Sequence, residues 1–338
     1  VRELAPGCRV LAVIKANAYG HGIVAAARAL AAADAFAVAR LEEAVALREA
    51  GIAARIVLLE GVQDAEELAA AAAHGLEPFV HQRAQIVLLE QWRGPHPFRV
   101  WLKIDSGMGR LGFRPAEVPQ AAARLAVCAA VVQPPLLATH LAEPEIRGNA
   151  HTRAQLERFA RATAGLPGER SVASSAGLIA WPEARTDWVR PGIMLYGISP
   201  FPESTGADLG LRPVMSLETR VIAVKELAAG DRVGYGGSWT APGPARIAIA
   251  EAGYGDGYPR STANGTPVLV NGRPAALAGR VSMDMLAIDV TGAGAVGPGD
   301  PVLLWGPQVP VERVAAAAGT IAYELTCRVS RRVPHEIR

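Results

Sequence analysis

The sequence predicts an α/β chain, a (β/α)8 TIM-type barrel followed by a smaller, mainly-β C-terminal domain. Three observations carry this. From Arg9 to about Pro191, short apolar runs alternate with longer Ala-, Leu-, Glu- and Arg-rich stretches of helical period, as in a parallel sheet wrapped by helices. Eight such repeats fill roughly 190 residues, which suits a closed barrel better than an open sheet of five or six strands. Beyond Ser199 the texture turns to β-rich sequence punctuated by Gly and Pro.

The barrel strands are expected at residues 10–14, 35–39, 55–60, 76–80, 99–104, 135–140, 171–173 and 186–190, with a helical pattern between most pairs. A Rossmann fold would need GxGxxG after the first strand, and Lys15-Ala16-Asn17-Ala18-Tyr19-Gly20-His21-Gly22 lacks it. Residues 1–199 are therefore assigned to the barrel and 200–213, opening Pro200-Phe201-Pro202-Glu203-Ser204, to a linker. Residues 214–338 form the β-domain, with strands expected at 214–224, 246–251, 267–270 and 302–305 and one late helix near 311–318.

Composition narrows the function. Hydrophobic residues make up 50% of the chain, enough for a sizeable core in each domain. A formal charge of +2, evenly spread apart from local clusters such as Arg328 to Arg332, points away from nucleic acid and membrane surfaces as partners. No apolar run approaches the ~18 residues that span a bilayer, and no signal peptide is visible. The three cysteines, Cys8, Cys128 and Cys327, are odd in number and lack CxxC spacing, so neither a disulfide framework nor a metal site is indicated and a reducing cytoplasm fits. The chain opens at Val1-Arg2-Glu3-Leu4 in what reads as the end of a helix, so a leading segment is expected.

Lysine is scarce: Lys15, Lys103 and Lys225 are the three among 34 basic residues. Arginine stays charged at physiological pH, whereas a desolvated lysine sheds its proton and acts as nucleophile or base. Lys15 follows the apolar run Val10-Leu11-Ala12-Val13-Ile14 and opens a glycine-containing loop. A buried strand delivering an amine to such a loop is what Schiff-base chemistry with an aldehyde cofactor requires.

Other polar residues also fall at strand C-termini, where barrels place their chemistry. Lys103 and Asp105 end the fifth strand with Arg110 just beyond, His140 ends the sixth, Ser174 and Ser175 follow the seventh, and Arg190 ends the eighth. The stretch after strands seven and eight is where barrels commonly bind phosphate, which suits Ser175 and the Gly192-Ile193 pair. Plainer readings stand beside these: Lys103 paired with Asp105, Arg110 as a loop arginine, His140 as a core histidine, Arg190 as a strand cap.

Taken together, the residues resemble the alanine racemases, pyridoxal-phosphate enzymes with an N-terminal barrel and a C-terminal β-domain. The matching motifs are Ala12 to Gly22, Asp105-Ser106-Gly107-Met108-Gly109-Arg110-Leu111-Gly112, Val189-Arg190-Pro191-Gly192-Ile193-Met194-Leu195-Tyr196-Gly197, Val233-Gly234-Tyr235-Gly236, Gly253-Tyr254-Gly255-Asp256-Gly257, Gly279-Arg280-Val281-Ser282-Met283-Asp284 and Ile321-Ala322-Tyr323-Glu324. The resemblance implies that Lys15 links pyridoxal 5'-phosphate, that Tyr19, Ser175, the Gly192-Ile193 backbone and Tyr323 hold its phosphate, that His140 lies against the pyridine ring, and that Arg190 meets the ring nitrogen. It further implies that Arg110 and the backbone near Met283 receive the substrate carboxylate, that Tyr254 lines the entrance, and that Lys103 matches a position often carbamylated. Two departures are Ser174, where the family usually has asparagine, and the loop His140-Leu141-Ala142-Glu143-Pro144. The family's opening strand and helix are also missing here.

The expected activity is interconversion of L- and D-alanine by two bases, Lys15 and Tyr235, that meet across a head-to-tail homodimer with shared active sites. An unperturbed phenol titrates near ~10, so nearby positive charge from His140 or Arg190 would assist it. D-Alanine supply for peptidoglycan and alanine catabolism remain open as roles. A racemase of broader specificity and a non-catalytic cofactor carrier are the competing readings, the second opposed by the β-domain with Tyr235.

Overall fold

A computed structural model describes residues 1–337 and separates the chain into two compact units, Val1–Leu195 and the stretch from Tyr196 onward. Among the described residues of the first unit, eight strands close into a parallel barrel in sequence order. They are β1 (Arg9–Val13), β2 (Ala35–Val38), β3 (Ile56–Leu58), β4 (Leu76–Val80), β5 (Trp101–Lys103), β6 (Leu136–Ala138), β7 (Arg170–Ser174) and β8 (Trp188–Arg190). Pairings such as Phe36↔Ile56, Val80↔Leu102 and Ser174↔Arg190 carry the ladder round, and Val10↔Val189 closes it. Closure leaves no open edge. Every residue of β2, β3 and β4 is buried, which is why β2 and β3 read as continuous apolar runs rather than alternating ones.

Each expected barrel strand falls on an observed one, usually a little longer than the ladder itself. The ends released from the ladder, Ile14, Ala39, Ile104 and His140, lie at the C-terminal mouth, where the backbone turns away to form loops. Val1 to Ala5 make a single turn, with the amides of Leu4 and Ala5 donating to the Val1 carbonyl.

The opposite end of the barrel is sealed by rings and paired charges. Trp101 and Trp188, both fully buried, meet edge to face at 5.5 Å, and Phe79 stacks on Trp101 at 5.7 Å. The guanidinium groups of Arg9 and Arg55 lie 4.6 and 4.8 Å from the Trp188 ring centroid. Buried Glu77 accepts from Arg55 Nε at 2.6 Å, Arg55 Nη2 at 2.9 Å and the Trp101 indole at 3.0 Å. Glu169 pairs with Arg9 and accepts from the Trp188 indole at 2.8 Å. The barrel is thus plugged where no chemistry is needed, in keeping with the division of labour between its two faces.

Among the described residues of the second unit, six antiparallel strands close into a barrel in the order β12-β15-β14-β13-β16-β9, beside a short β10-β11 ladder. These are β9 (Leu217–Leu227), β10 (Arg232–Val233), β11 (Trp239–Thr240), β12 (Ala245–Ala250), β13 (Pro267–Val270), β14 (Arg273–Leu277), β15 (Leu286–Asp289) and β16 (Pro301–Trp305). The expected strands correspond to β9, β12, β13 and β16. The other four carry no clear strand signal in the sequence: β10 and β11 are too short to show a period, β14 carries Pro and Ala, and β15 is a four-residue stretch among turns. The expected helix is Val311–Ala318, and a second, Ala322–Arg328, follows it. Within 200–213 the regular structure is a short 3-10 turn, Ala207–Leu209. Glu312 ties this stretch down by accepting from the amides of Ser199 at 2.9 Å and Gly206 at 2.8 Å.

Replacing Glu77 by alanine should destabilise the barrel by on the order of 3 kcal/mol, because Arg55, Arg99 at 3.8 Å and the buried Trp101 indole lose their shared carboxylate. Urea unfolding of the variant, followed by tryptophan fluorescence, measures this; a change below about 0.5 kcal/mol would contradict the role given to the plug.

Candidate active site

Lys15 sits two residues beyond the end of β1, at the start of an unusual turn. Ala16, Asn17, Ala18 and Tyr19 all take left-handed backbone angles, with φ between 53° and 55°. L-residues disfavour this conformation by roughly 1–2 kcal/mol each, so the turn stores about 4–8 kcal/mol. Compensation comes from hydrogen bonds on both flanks. Ala18 N–H donates to Ile14 O at 2.9 Å, Gly20 N–H to Ala16 O at 3.0 Å, and Ile23 N–H to the Asn17 side chain at 2.9 Å. Ala18 and Tyr19 are also buried, so the turn is pinned by packing as well.

Tyr19 reaches an anion-ready cradle. Its hydroxyl lies so close to Gly192 that a Cβ there would stand 2.4 Å from the oxygen; glycine alone fits. The Ser175 hydroxyl, 3% exposed, accepts from the amides of Gly192 at 2.9 Å and Met194 at 3.3 Å. Two hydroxyls and the Gly192-Ile193 backbone are therefore gathered at the ends of β7 and β8, a donor set suited to a phosphate. Ser174, the last residue of β7, pairs in register with Arg190.

Positive charge is concentrated around His140. Burial holds its imidazole well below the usual range, and the charges of Arg190, Lys103, Arg110 and Lys15 push the same way. An imidazole held this low is neutral at physiological pH, so His140 does not carry the positive charge expected of it from the sequence. Arg190 is 4% exposed and, with its pKa lowered by burial to about 10, stays charged. It donates to Ser171 Oγ at 2.7 Å, Thr139 O at 2.5 Å and Val172 O at 3.2 Å, all uncharged oxygens. Its Nη2 also stands 3.3 Å from His140 Nδ1, which makes Nδ1 the acceptor and leaves the ring proton on Nε2.

Lys103, buried as the last residue of β5, has its amine held well below the ordinary lysine range, first by burial and then by Arg190 and Arg110. Asp105 does not form an ion pair with it among the described residues. Its carboxylate accepts instead from the amides of Gly107, Met108 and Gly109 at 2.9–3.1 Å. Burial would raise Asp105, yet those three bonds and the Lys103 charge bring it below the usual carboxylate range. The nest shapes the loop that carries exposed Arg110. Arg158 donates to Ser106 O at 2.7 Å, His151 Nε2 approaches Gly107 O at 3.0 Å, and the Ser106 and Thr139 hydroxyls bond at 2.8 Å.

The second unit presents its own set. Tyr235 is 66% exposed on a turn that follows β10, and Gly234 beside it packs against the Gly279-Arg280 backbone. The same 279–283 segment carries Met283, 54% exposed, and binds the turn bearing Tyr254: Tyr254 N–H donates to Ser282 O at 3.0 Å and Gly255 N–H to Met283 O at 2.8 Å. Arg332 clamps this pair of turns through Asp256 and Asp284, at 2.7 and 2.8 Å. Tyr235, Tyr254 and Met283 are thus gathered on stacked turns, while Tyr323 stands on the helix Ala322–Arg328.

Several supporting residues had no signal in the sequence. Glu43, Arg158 and His151 act across 27 to 52 residues of chain, a separation that local patterns do not encode. Among the described residues no group of three or more His, Cys, Asp or Glu is placed to hold a metal ion, and no helix is long and apolar enough to cross a membrane.

A (β/α)8 barrel whose C-terminal mouth gathers an amine on a strained turn and an anion cradle, joined to a β-barrel domain, defines a two-domain barrel enzyme. The chain belongs to the alanine racemase family: residues 1–200 match the model of the alanine racemase N-terminal domain and 214–337 that of the C-terminal domain. It is 52% identical to the alanine racemase of Nitrosococcus oceani over 335 residues, covering 99% of this chain and 94% of the relative. The crystal structure of the biosynthetic alanine racemase from Pseudomonas aeruginosa superimposes with a TM-score of 0.95 at 46% identity, covering 98% and 93% of the two chains. A further structure, alanine racemase from Bartonella henselae with covalently bound pyridoxal phosphate, has a TM-score of 0.86 at 31% identity, with 98% and 93% covered.

The lowered His140 pKa has a stability consequence. Below pH ~6.5 the unfolded chain takes up a proton on this ring that the folded chain refuses, so stability falls as pH drops from ~6.5 toward the native pKa, by up to about 1.4 kcal/mol per pH unit. Replacing His140 by glutamine should flatten that slope between pH ~6.5 and ~5 in cofactor-free protein, as read from urea titrations at half-unit steps. An unchanged slope would mean that the ring protonates freely in the fold.

Proposed function

We propose that this chain is an alanine racemase, an isomerase that interconverts L- and D-alanine by a two-base mechanism with pyridoxal 5'-phosphate held at the barrel mouth. The observation that carries the reading is the placement of Lys15 on its left-handed turn beside the Tyr19–Ser175–Gly192 cradle. The residues fit the cofactor: one amine for its aldehyde, two hydroxyls and a glycine-opened backbone for its phosphate, and a cation-rich surround for its negative charge. When bound, the cofactor supplies an electron sink that weakens the bond between the substrate Cα and its hydrogen.

The chain's own residues supply the rest. Arg110 and the backbone at Met283 would receive the substrate carboxylate, Tyr254 would narrow the entrance, and Tyr323 would add a hydroxyl for the phosphate. Lys15 moves the Cα proton on one face and Tyr235 on the other, because inversion removes a proton from one side and returns one to the opposite side. Arg190 would face the ring nitrogen. A guanidinium that stays charged disfavours protonation there, which tempers the electron sink and so favours return of the proton over side reactions. His140, neutral, would pack against the ring without adding charge.

Lys103 is suited to carbamylation. Its lowered pKa supplies a neutral amine that attacks carbon dioxide, forming an N–C bond and releasing one proton, and the resulting anion would orient Arg110. The family resemblance supports a homodimer in which the barrel of one chain meets the β-domain of the other. The high exposure of Tyr235 and Met283 is consistent with their working on a partner. Three free cysteines suit a reducing cytoplasm, and the biosynthetic designation of the Pseudomonas aeruginosa relative favours D-alanine supply for peptidoglycan over catabolism.

Mixing an inactive Lys15→Ala chain with an inactive Tyr235→Phe chain in equal amounts should restore up to about a quarter of wild-type racemisation in the mixture, one intact site in each heterodimer, measured by circular dichroism of alanine. Absence of any restored activity in mixtures shown to exchange subunits would refute shared sites. Borohydride treatment should fix the cofactor on Lys15, and a label found elsewhere by peptide mapping would refute the linkage.

A further inference from the structure

We propose that Glu43 is a positioning residue that locks the left-handed turn and thereby fixes the backbone from which Lys15 projects. Glu43 lies in the helix Leu41–Glu49 that follows β2. Its Oε2 accepts from the amides of Ala39 at 2.9 Å and Arg40 at 3.3 Å, where the chain enters that helix. Its Oε1 accepts from the Ala16 amide at 2.6 Å, across 27 residues of sequence. That amide belongs to the peptide bond formed by the Lys15 carbonyl. The bond therefore acts directly on the backbone plane that sets the lysine's direction.

A helix entry needs one acceptor oxygen; Glu43 spends its second on the turn. Of the other turn bonds, that from the Ala18 amide to Ile14 O spans Lys15 through the backbone, and the rest hold the far side, through Asn17 and the amides of Gly20, Gly22 and Ile23. At the lysine side, the side chain bonded to the turn is that of Glu43. Released from it, Ala16 is free to relax toward the right-handed angles that L-residues prefer, and the amine swings with it. A displacement near ~1 Å is enough to cost about 100-fold in rate at a reacting centre. The anchoring stands on geometry alone, while its consequence for racemisation rests on the assignment of Lys15 given above.

The test compares wild type with Glu43→Ala and Glu43→Gln in three measurements. These are hydrogen exchange of residues 14–22 with and without pyridoxal phosphate, cofactor affinity from the absorbance of the lysine-linked form, and kcat and KM for L-alanine in the holoenzyme. Glu43→Ala should speed exchange at residues 14–22 by on the order of 10- to 100-fold, the weight of one charge-assisted hydrogen bond, while the barrel strands keep their protection. Cofactor affinity should weaken by about 10-fold and kcat fall by about 10- to 100-fold, with KM within about threefold. Glu43→Gln, which keeps one carbonyl oxygen, should lie between; if the alanine variant does not fold, this variant decides by the same exchange measurement. Wild-type exchange at residues 14–22, or loosening confined to the helix Leu41–Glu49, would overturn the proposal and leave Glu43 a simple helix cap. If wild type itself takes up no pyridoxal phosphate, the Lys15 assignment fails, and the exchange measurement on cofactor-free protein still judges Glu43.

Discussion

The barrel mouth is organised around a backbone held against its preference. Four consecutive L-residues in the left-handed region carry a strain of about 4–8 kcal/mol, comparable with the whole net stability of an ordinary domain. Such a turn persists only if its surroundings over-determine it, and here they do. Ala18 and Tyr19 are buried beneath it, Asn17 closes it, and Glu43 ties its first amide to the neighbouring strand end. The result is a lysine whose root cannot drift and a tyrosine hydroxyl pressed against Gly192, so one strained segment serves both the amine and the anion cradle.

A second constraint is electrostatic, and the two ends of the barrel resolve it in opposite ways. At the N-terminal end Arg9 and Arg55 each have a carboxylate, Glu169 or Glu77, and an indole face. At the mouth Arg190 is buried on neutral oxygens, Lys103 is buried without an ion-pair partner among the described residues, and Asp105 is committed to backbone amides. The mouth thus holds uncompensated positive potential, which adds to burial in lowering the pKa of Lys103 and His140 and draws in anions. Stability is concentrated at one end so that the other end can keep this unfavourable charge arrangement ready for a ligand.

Much of this was legible in the sequence because it depends on periodicity and strand ends. Eight apolar runs at regular spacing predict the barrel, and once their C-termini are placed, Lys15, Lys103, His140, Ser175 and Arg190 fall at one mouth by geometry alone. What stayed hidden follows the same logic in reverse. Nothing in Ala16, Ala18 or Tyr19 favours a left-handed turn, since only Asn17 among the four tolerates it readily. Glu43 lacked the usual signature because Arg40, rather than Ser or Thr, opens its helix. In the β-domain, β10 and β11 are two residues long, and a period of two cannot be read from two residues.

Protonation ties the site together. Lys103 and His140 respond to the same pair of arginines, Arg190 and Arg110, so a change of charge at one position is felt at the others. A negative group formed on Lys103 would introduce an anion, which offsets the repulsion that adds to burial in holding His140 neutral and gives Arg110 a fixed partner. Arg190, bonded to neutral oxygens, would stay unpaired by any carboxylate and so keep its charge at the mouth. The cluster therefore gains from a single modification at its most deeply buried amine. That is also the amine whose neutral form the surrounding field already favours.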